Sequence, residues 1–600
     1  MPADNRIAEL EQQIARLPAG SVVYKTINGK KQPYLQWKEN GKTKSRYLGA
    51  AIRDDIIPKV ALRKELSEEL RELKSSHIAL CSRANKPAFH SRVVTGDGLN
   101  CLIDAVKGLE KRDCYRKLEK YLHGKTFGRV CLLYGLRRTG KTTLLLQAIS
   151  ELSDEDRARA AYIKAQATDT ISDISSDLAE LEGQGYQFVF IDEVTLMSDF
   201  IDSAALFSDI HAVLGTKIVL SGADSLGFWF ALAQELYDRA FTIHTTHITF
   251  QEYRRLLGAD SIDEYIRYGG TLMGGRDAFN GGDALKSDAV FRNAESTQRY
   301  IDTAISNNIQ HSVNHCDSSN YSRHLRALCE SGELAVAVNR AIESMNREFL
   351  LQILTERSKA LGLGSAAELP PKHPGKAKRP CIRDQVDRKS VSAKLMELLA
   401  NRNQEYERSD VESAHTAEIM KYLKALDLIV DRPSESMTSA ASSECVLFTQ
   451  PGMRYCQVEA LIHDLLRDKL FASFSEQEKR LACEELLEGV REAMMREVVL
   501  LDTACAAPRN KRVFKLNLSR GWLDMVIYDS ETDTCKVFEV KHSAEIVEKP
   551  YSVLTDEDIC TSTERRFGSI VGKTVIYRGA DTELENGITY QNVENYLTSL

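Results

Sequence analysis

The stretch Val130-Cys-Leu-Leu-Tyr-Gly-Leu-Arg-Arg-Thr-Gly-Lys-Thr142 decides the fold of this chain. Its apolar run, residues 130–134, leads into a loop with two glycines and then into the helix-like sequence 143–147. This order is typical of a phosphate-binding P-loop, because the glycines let backbone N–H groups point at phosphate oxygens. Lys141 would reach the outer phosphates, and the Thr142 hydroxyl would hold Mg²⁺. The predicted nucleoside triphosphate site comprises Gly135, Arg138, Thr139, Gly140, Lys141, Thr142 and Thr143.

Two further apolar runs end in polar residues. Residues 188–191 end in Asp192-Glu193, and residues 217–220 end in Ser221-Gly-Ala-Asp-Ser225. Asp192 would hold Mg²⁺, Glu193 would align or deprotonate the attacking water, and the group after the third strand could sense the γ-phosphate. An acid at a strand end is common without such a role, but three parallel strands that bring polar groups to one edge form a coherent site.

Composition sets limits on the rest of the chain. The 600 residues predict several domains, and the net charge of −7 argues against a surface coated with positive charge. The 13 cysteines include no C-x-x-C pair, which is typical of a reducing compartment. No apolar stretch approaches the roughly 20 residues that span a bilayer, and the N-terminus lacks a signal-peptide pattern. We therefore expect a cytoplasmic location and no membrane partner.

A basic module precedes the P-loop. Between Ser21 and Arg53, short alternating strands are separated by Asn28-Gly29 and Asn40-Gly41, which is a strong hairpin signal. This segment carries eight Lys or Arg and one acid, with four interleaved aromatic residues. Such a surface suits nucleic-acid backbone contact and base stacking. Alternatively, the segment is a small solvated sheet whose aromatic residues form its core.

The segment beyond the third core strand consists of helical sequence, a linker and a further helix-and-strand module. Mixed helical sequence runs to about residue 363, and residues 364–380, rich in Pro, Gly and Lys, resemble a linker. Two amphipathic helices, 391–399 and 416–426, then precede two short strands, an order that fits a winged helix-turn-helix. Such a module binds DNA in some proteins and serves as an interdomain hinge in ATPases. Its Lys421, Lys424 and Arg432 are too few to form a convincing basic face.

A second constellation lies near the C-terminus, after an amphipathic helix over residues 478–501. Asp524 lies on one predicted strand, and Glu539-Val-Lys541 lies on the next. Residues two apart in a strand share a face, so Glu539 and Lys541 point together, and a hairpin can bring Asp524 beside them. The two carboxylates would hold Mg²⁺ or Mn²⁺, and Lys541 would orient a water for phosphodiester attack. A surface hairpin with a salt bridge is the alternative.

Residues 125–600 resemble the bacterial and archaeal AAA-like ATPases in which a winged helix and a C-terminal PD-(D/E)xK restriction-endonuclease-like domain follow the ATPase core. The resemblance rests on six motifs: Gly135-Leu-Arg-Arg-Thr-Gly-Lys-Thr142, Phe190-Ile-Asp-Glu193, Leu220-Ser-Gly-Ala-Asp224, Leu236-Tyr-Asp-Arg239, Phe250-Gln-Glu-Tyr253 and Tyr268-Gly-Gly270, together with Asp524 and Glu539-Val-Lys-His-Ser543. The basic module lies outside it and resembles a small uncharacterised bacterial module, which implies no function.

The resemblance implies roles for individual residues. Lys141 and Thr142 are the Walker A residues, Asp192 and Glu193 the Walker B pair, Ser221 lies in the sensor strand, and Arg239 is a γ-phosphate arginine. In the family a glutamate on the first helix of the nuclease-like domain completes the metal site. This chain has Arg496 there, and a cation cannot ligate a cation. Glu497 lies about 100° further round the helix, and Glu492 is the other candidate.

The predicted fold is α/β: a P-loop NTPase core with a parallel sheet and helices on both faces, a helical lid, a winged helix, a restriction-endonuclease-like domain and an N-terminal β-meander with flanking helices. The predicted boundaries are 1–76 for the basic module, 77–125 for a helical connector, 126–248 for the ATPase core, 249–363 for the lid, 364–380 for the linker, 381–475 for the winged helix and 476–600 for the nuclease-like domain.

The primary hypothesis is an ATPase that binds ATP and Mg²⁺ and couples its nucleotide state to the nuclease-like domain, with DNA a better candidate target than RNA. A second Mg²⁺ or Mn²⁺ would occupy the C-terminal domain. The rival hypothesis is a signalling ATPase whose terminal domains only bind partners and whose nuclease-like site is inactive. Both leave open a homo-oligomer or a partner protein.

Overall fold

A computed structural model describes most of the chain. The described residues are 17–18, 21–27, 30–39, 42–49, 56–60, 62–63, 66, 89–233, 235–259, 261–272, 290–314, 323–364, 394–399, 410–438, 443–518, 521–546, 553–584 and 587–600. The chain divides into two compact units: the N-terminal unit, residues 1–245 with 272–289, and the C-terminal unit, residues 246–271 with 290–600. The helical periodicity of residues 6–17 predicts a helix before the meander, and all but its last residue lies outside the described residues, as does all but the first residue of the predicted linker 364–380.

The N-terminal unit begins with an antiparallel sheet of three strands, β1 (Ser21–Ile27), β2 (Lys30–Glu39) and β3 (Lys42–Tyr47). The β1–β2 register pairs Ile27 with Lys30, so two residues connect the strands, as the Asn28-Gly29 signal predicts. Tyr34 and Tyr47 are cross-strand partners, with ring centroids 5.4 Å apart. Part of the aromatic content of this segment therefore packs within its own sheet.

A six-stranded sheet forms the core of the N-terminal unit, in the order β4-β6-β7-β8-β5-β9. β4 is antiparallel to β6, and the other five strands are parallel. The strands are β4 (Arg92–Val94), β5 (Val130–Tyr134), β6 (Ala160–Lys164), β7 (Phe188–Asp192), β8 (Lys217–Gly222) and β9 (Ala240–His244). All five residues of β5 are buried, which requires packed layers on both faces of the sheet. This confirms the predicted parallel-rich α/β core.

Helices connect these strands. The sequence of β5 predicts its burial, because an unbroken apolar run without alternation is typical of a parallel strand with two covered faces. The core side chains on one face come from Leu99, Leu118 and Leu144, which lie on three different helices. The helices are Gly96–Asp104, Tyr115–His123, Lys141–Ser150, Asp154–Ala158, Ile171–Gly183, Phe200–Ser203 and Ser225–Ala233, with a 3₁₀ turn at Val194–Leu196 and a π-helix at Phe207–Ala212.

The C-terminal unit begins with helices. Thr249 caps the helix Phe250–Leu257 by accepting a hydrogen bond from Glu252 N, and Gly258, in the left-handed conformation, ends it. The other helices are Ile262–Tyr268, Ala294–Tyr300, Asn307–Asn314, Arg323–Ser331, Leu334–Gly364, residues 394–399, Asp410–Ala425, Pro451–Leu465, Glu476–Ala506, Glu557–Phe567 and Val593–Thr598, with a π-helix at Ile301–Ser306 and a 3₁₀ turn at Lys469–Phe471.

An eight-stranded sheet completes the C-terminal unit, in the order β11-β10-β12-β13-β14-β15-β17-β16. The hairpin of β10 and β11, predicted as the strands of the winged helix, lies in this sheet, because β10 pairs in parallel with β12. The strands are β10 (Ile429–Ser436), β11 (Ser443–Phe448), β12 (Lys511–Asn517), β13 (Trp522–Asp529), β14 (Thr534–Val540), β15 (Ser569–Tyr577), β16 (Thr582–Glu583) and β17 (Ile588–Asn592).

Candidate functional site

The P-loop is built by the turn between β5 and helix Lys141–Ser150. Gly140 begins this helix with φ +86°, and a Cβ placed there would lie 3.0 Å from Leu272 Cδ1, so the position favours glycine on both counts. Arg138 also has a positive φ, 68°. The loop therefore has the sharply curled backbone that the two-glycine pattern predicts.

Lys141 lies over this loop and is 7 % exposed. Its Nζ donates to the carbonyl oxygens of Gly135 at 2.8 Å and Leu136 at 2.9 Å. Burial lowers the pKa of Lys141 to about 8, although the charges of Glu193 and Asp192 oppose the shift. The buried Lys141 ammonium thus contacts two neutral carbonyl oxygens and lies in the field of two carboxylates. A phosphate would be a stronger hydrogen-bond partner for it than the carbonyl oxygens are.

Asp192 is the centre of the site and is 1 % exposed. Its Oδ2 accepts hydrogen bonds from Thr142 Oγ1 at 2.8 Å and from Tyr162 Oη at 2.9 Å, and Ser221 Oγ donates to its Oδ1. Lys164 Nζ lies 3.7 Å from Oδ2. The residues predicted at the carboxyl ends of three separate strands therefore meet around one buried carboxylate. Carboxylate and hydroxyl oxygens are the ligands that Mg²⁺ prefers, so Thr142 and Asp192 fit that ion.

Glu193 follows Asp192 in a strained conformation. Its φ and ψ are 60° and 33°, which is the left-handed region, and its backbone N donates to Asp192 Oδ1 at 3.1 Å. A non-glycine residue in this region costs on the order of 1–3 kcal/mol and is most often found at functional sites. This conformation turns the chain directly after β7, at the residue whose carboxylate is predicted to activate the water.

Two predicted polar residues of the P-loop and one of the sensor strand have local structural contacts. Thr139 is fully buried, with its Oγ1 donating to Leu136 O at 2.9 Å, and Thr143 is half-buried in the first helical turn. Asp224, grouped with the possible γ-phosphate sensors, accepts from the backbone N of Leu226 at 3.1 Å and of Gly227 at 3.0 Å. Asp224 therefore caps the helix that follows β8, and that contact explains its position.

Arg239 lies at the other edge of the sheet. Its carbonyl oxygen accepts from Val130 N, at the start of β5, whereas the P-loop follows the end of that strand. Five residues of strand separate the two edges by about 16 Å. Its guanidinium pairs with Asp209 at 3.0 Å. Within one chain, the predicted γ-phosphate arginine therefore lies at the start of β5, away from the P-loop, and its role toward a nucleotide stays a prediction.

Arg112 is a site residue that the sequence reasoning missed. Its Nη1 donates to Thr139 O at 2.7 Å and to Thr245 O at 2.9 Å, and the residue is 5 % exposed. Thr245 also shares a hydroxyl–hydroxyl hydrogen bond of 2.7 Å with Thr139. Arg112 thus ties the P-loop to the residue after β9. No local motif marks it, since it acts across a separation in sequence of 133 residues.

Tyr162 and Lys164 are two further site residues that the motifs do not include. They lie on β6, next to β7 in the sheet, with Lys164 in register with Asp192. A sequence signal exists for them, because the apolar run 160–163 ends in a lysine between two helical segments. That pattern predicts a fourth polar group, Lys164, at the same edge of the sheet.

Asp524 lies on β13 in the C-terminal unit, and its side chain is 10 % exposed. Its Oδ1 accepts from Trp522 Nε1 at 2.7 Å, and its Oδ2 accepts from Val540 N at 2.8 Å. Burial raises the pKa of the Asp524 carboxyl, with Arg496 as the strongest opposing charge. Arg496 Nη1 lies 3.9 Å from Asp524 Oδ1 and 3.1 Å from Glu356 Oε2. The cation beside Asp524 is therefore a guanidinium, at the position that the resemblance gives to a metal-ligating glutamate.

Glu539 and Lys541 form an ion pair at 2.8 Å, in keeping with two positions that share a face. The pairing of β13 with β14 runs without a register shift from Asp529–Thr534 to Met525–Phe538, and a β-bulge lies in the pairing of β13 with β12. The β12–β13 register pairs Phe514 with Val526 but Leu516 with Leu523, so β13 carries one extra residue between these pairs. This extra residue alters the simple alternation at Asp524, whose side chain lies against Trp522 and Arg496.

The two alternative glutamates on the helix Glu476–Ala506 have other partners. Glu497 forms a bidentate pair with Arg454, at 2.8 and 2.6 Å from Nη1. Glu492 lies 3.9 Å from Arg496 Nη2. A cavity of about 710 Å³ opens beside these groups. It is lined by Arg496, Glu356, Asp524, Glu497, Arg454 and Lys515, among others. Within the described ranges, no group of three or more His, Cys, Asp or Glu could hold a metal ion.

Comparison with known proteins agrees with the N-terminal site. A family model described as an AAA domain matches residues 128–254, and a model described as a domain of unknown function (DUF6788) matches residues 2–56. The chain matches no curated protein. Among solved structures, the Hsp104–ADP complex of S. cerevisiae aligns with 13 % identity over 69 % of this chain and 55 % of that chain, with a TM-score of 0.22. This chain thus spans about half of that chain's length, with a similarity too low to inform its structure.

The AAA match covers the P-loop, Asp192, Glu193 and Ser221, which are the residues that meet around the buried carboxylate. The chain therefore carries an AAA-like P-loop ATPase domain on a parallel-rich α/β core. Within the part of the chain that the structure describes, no helix is both long and apolar enough to cross a bilayer.

Proposed function

We propose that this chain is an Mg²⁺-dependent ATPase whose nucleotide state controls a restriction-endonuclease-like C-terminal domain that has lost its metal site. The contrast between two carboxylates carries the proposal. Asp192 accepts hydrogen bonds from three hydroxyl groups, and Lys164, which lies 3.7 Å from it, is 44 % exposed and free to turn away. Asp524 instead faces the guanidinium of Arg496, which is 18 % exposed and held by Glu356. The first environment admits Mg²⁺, and the second already contains a fixed positive charge.

The proposed chemistry at the P-loop follows from its residues. Lys141 would exchange its contacts with two backbone carbonyls for the outer phosphates of ATP. Thr142 and Asp192 would hold Mg²⁺, which neutralises charge on the transferred phosphoryl group. Glu193 would align the attacking water and accept its proton. Arg112 is a positioning residue that holds Thr139 and therefore the loop.

The segment 246–271 provides a covalent route from this site to the C-terminal unit. Thr245, before the segment, bonds Thr139, and Leu272, after it, donates its backbone N–H to Arg138 O at 2.8 Å. Both ends of the segment therefore adjoin residues that contact the P-loop. A change in loop geometry on nucleotide binding would displace both ends together.

Inside the C-terminal unit the same segment is fixed to the nuclease-like domain. His542, directly after Lys541, bonds Asp263 Oδ1 at 2.6 Å through Nε2 and Glu488 Oε1 at 2.7 Å through Nδ1. Asp263 also pairs with Arg578 at 2.8 Å. The helix Ile262–Tyr268 thus connects to the residue that follows the E-x-K motif. This connection supports coupling between nucleotide state and that domain.

Gly269 and Gly270 add a second attachment within this unit. Gly452 N donates to Gly269 O at 3.0 Å, and Gln450 Nε2 donates to Gly270 O at 3.1 Å. Gly270 has φ +109°, and a Cβ there would lie 2.7 Å from Gln450 Cα, so no other residue fits. The glycine pair quoted in the family motif therefore serves close packing of the segment on helix Pro451–Leu465.

ATP turnover tests the ATPase proposal. Purified chain with ATP and Mg²⁺ should release phosphate, and Lys141→Ala should abolish ATP binding, because the buried ammonium is the main charge at the loop. Lys107→Ala, which removes a lysine that is 68 % exposed, is the matched control and should retain wild-type turnover. Wild-type affinity and turnover in Lys141→Ala would reject the assignment.

A metal-dependent nuclease remains the second candidate, and the Glu539–Lys541 pair on the end of β14 is the observation that favours it. Plasmid DNA incubated with the wild-type chain and Mn²⁺ separates the two. The proposal predicts no cutting. Nicking that disappears in both Asp524→Ala and Lys541→Ala would establish the nuclease instead.

Nucleic acid, with DNA preferred over RNA, is the proposed macromolecular target, and the basic composition of the N-terminal sheet is its support. If that sheet binds DNA, affinity should fall steeply with salt, by about 0.9 log units per log unit of salt for each phosphate neutralised. A flat salt response would reject the sheet as the DNA-binding surface.

A further inference from the structure

A cysteine, a histidine and an aspartate form a constellation that the ATPase proposal does not use. Cys505 and Asp502 lie in the last turn of helix Glu476–Ala506, and His247 lies three residues beyond β9. Cys505 Sγ lies 3.7 Å from His247 Nδ1, and His247 Nε2 lies 3.2 Å from Asp502 Oδ1. A thiol, an imidazole and a carboxylate are thus arranged in series, as nucleophile, base and orienting group.

The constellation is held in place by its surroundings. Asp502 is 4 % exposed, and its second oxygen accepts from Phe250 N at 2.8 Å, which fixes the carboxylate that faces His247. Arg432 Nη2 approaches the sulfur from β10 at 3.7 Å. The thiol therefore has an imidazole on one side and a guanidinium on another, and both favour its ionised form.

The charges of these groups agree with a thiolate. Burial alone would raise the pKa of Cys505, but the hydrogen bond and charge of His247 and the charge of Arg432 outweigh it, so the pKa is lowered. Burial disfavours protonated His247, yet Asp502 and Cys505 together raise its pKa to about 10. Both shifts favour a thiolate beside an imidazolium over a neutral thiol beside a neutral imidazole.

Cys505 differs from the other described cysteines in its exposure to solvent. Of the cysteines within the described ranges, Cys505 is the exposed one, whereas Cys131, Cys456, Cys483 and Cys535 are buried. Burial raises the pKa of Cys131, Cys483 and Cys535. A thiolate that is both stabilised and reachable from solvent is the type of cysteine that oxidants modify selectively.

We propose that Cys505 is a reactive thiolate, positioned by His247, Asp502 and Arg432, that reacts with small peroxides of the hydrogen peroxide class. The thiolate sulfur attacks one peroxide oxygen, the S–O bond forms, and the O–O bond breaks. The sulfur becomes a sulfenic acid, and the leaving hydroxide takes a proton from His247 or solvent to become water. The cysteine is oxidised by two electrons and the peroxide is reduced. This site does not depend on ATP hydrolysis.

Alkylation by iodoacetamide, followed by peptide mass spectrometry on the full chain, measures thiolate reactivity at each cysteine in one sample. At pH 7 Cys505 should react at least about tenfold faster than Cys101, which is partly exposed and serves as the internal control. Equal rates for Cys505 and Cys101 would overturn the proposal.

The variants His247→Gln and Arg432→Gln separate activation from exposure. Each should slow alkylation of Cys505 by about threefold or more and leave the rate of Cys101 unchanged, because only Cys505 loses a stabilising charge. In His247→Gln the fall of the Cys505 rate with decreasing pH should also begin at a higher pH than in the wild type, because the variant lacks the imidazole that lowers the pKa of the thiol. A Cys505 rate that neither variant alters would show that exposure alone controls it and would contradict the proposal.

Hydrogen peroxide itself is the second probe. Treated wild-type chain should form a sulfenic acid at Cys505 that a cyclic 1,3-dione traps, and the yield should fall in His247→Gln. Trapping at Cys505 with the same yield in both proteins, or no trapping in the wild type, would reject the peroxide reaction. Slow alkylation of the buried Cys456 and Cys483 in each variant verifies that the C-terminal unit has kept its fold, and the unchanged Cys101 rate does so for the N-terminal unit.

Discussion

The P-loop site and the Asp524 site both place a carboxylate near the end of a strand, but the two differ in the cation beside the carboxylate. At the P-loop, hydroxyl groups of Thr142 and Ser221 contact Asp192, and Lys141 can exchange weak carbonyl contacts for phosphate. At β13, Asp524 faces Arg496, which also pairs with Glu356 at 3.1 Å. Lys164, 3.7 Å from Asp192, is 44 % exposed and can move aside for a metal, whereas Arg496 is 18 % exposed and is held in place by Glu356.

Glu193→Gln should have the largest effect, on the chemistry at the P-loop site. Removing the carboxylate should lower ATP turnover by about a hundredfold or more while ATP affinity is kept, because the general base acts on water and not in binding. Phosphate release and nucleotide binding measured on the same protein separate these effects. Unchanged turnover would show that another residue activates the water.

Arg496→Ala should destabilise the C-terminal unit by about 3–5 kcal/mol, because Asp524 and Glu356 would lose the charge that neutralises them. Hydrogen exchange in β13 measures the local loss. Arg480→Ala is the matched control on the same helix, where the arginine is 72 % exposed and its ion pair should contribute no more than about 1 kcal/mol. Equal protection of the β13 amides from exchange in the two variants would contradict a structural role for Arg496.

The His542 network predicts a pH dependence of the attachment of helix Ile262–Tyr268. Burial opposes protonation of His542, but Asp263 and Glu488 outweigh it and raise its pKa, while the pKa values of Asp263 and Glu488 are lowered against a desolvation cost. The histidine contribution is fully present below its unfolded pKa of about 6.5 and is lost as pH rises through its folded pKa. The carboxylate contribution is present above about pH 4.3 and is lost as pH falls.

Stabilisation by this network should therefore be greatest between about pH 5 and pH 6.5. With half of the Glu488 side chain exposed, we expect about 1–2 kcal/mol relative to His542→Gln. Hydrogen exchange of the helix amides in the wild type and in His542→Gln gives the difference at each pH. A stabilisation relative to His542→Gln that increases from pH 7 to pH 9 would contradict the predicted direction of the pH dependence.

Arg239→Ala should have the smallest effect. Because Arg239 lies at the edge of the sheet away from the P-loop, ATP affinity should remain at the wild-type value. Arg112→Ala is the contrasting variant, since that arginine holds Thr139, and it should weaken ATP binding. Loss of ATP affinity in Arg239→Ala would mean that its side chain reaches the nucleotide.

The parallel strands of the N-terminal core, and the meeting of their polar ends, follow from local signals in the sequence. Each strand of the core is an apolar run, and the polar residues that follow the runs meet because parallel strands end at one edge. Arg112 and Tyr162 do not follow from this logic, since their contacts with Thr139 and Asp192 depend on packing between distant segments. A motif alone assigns Arg239 to the nucleotide, and the strand register shows that it lies at the opposite edge.

The C-terminal site is harder to predict, because several of its contacts join residues that are distant in sequence. Asp524, Glu539 and Lys541 are recognisable from spacing, and the resemblance predicts from the sequence that Arg496 stands where the family has a glutamate. The β-bulge in β13 and the partnership of Arg496 with Glu356 are not, because the latter joins residues 140 positions apart. The Cys505 constellation joins residues 258 positions apart and carries no motif. Long-range side-chain networks therefore mark the limit of sequence-based interpretation in this chain.

The number of Mn²⁺ ions that each chain binds in the presence of a non-hydrolysable ATP analogue tests the central claim most directly. Titration followed by electron paramagnetic resonance should show one tightly bound Mn²⁺ per chain, which requires the nucleotide and is lost in Asp192→Asn. A second Mn²⁺ that binds without nucleotide and is lost in Asp524→Asn would contradict the account, because it would show that the C-terminal carboxylate holds a metal despite Arg496.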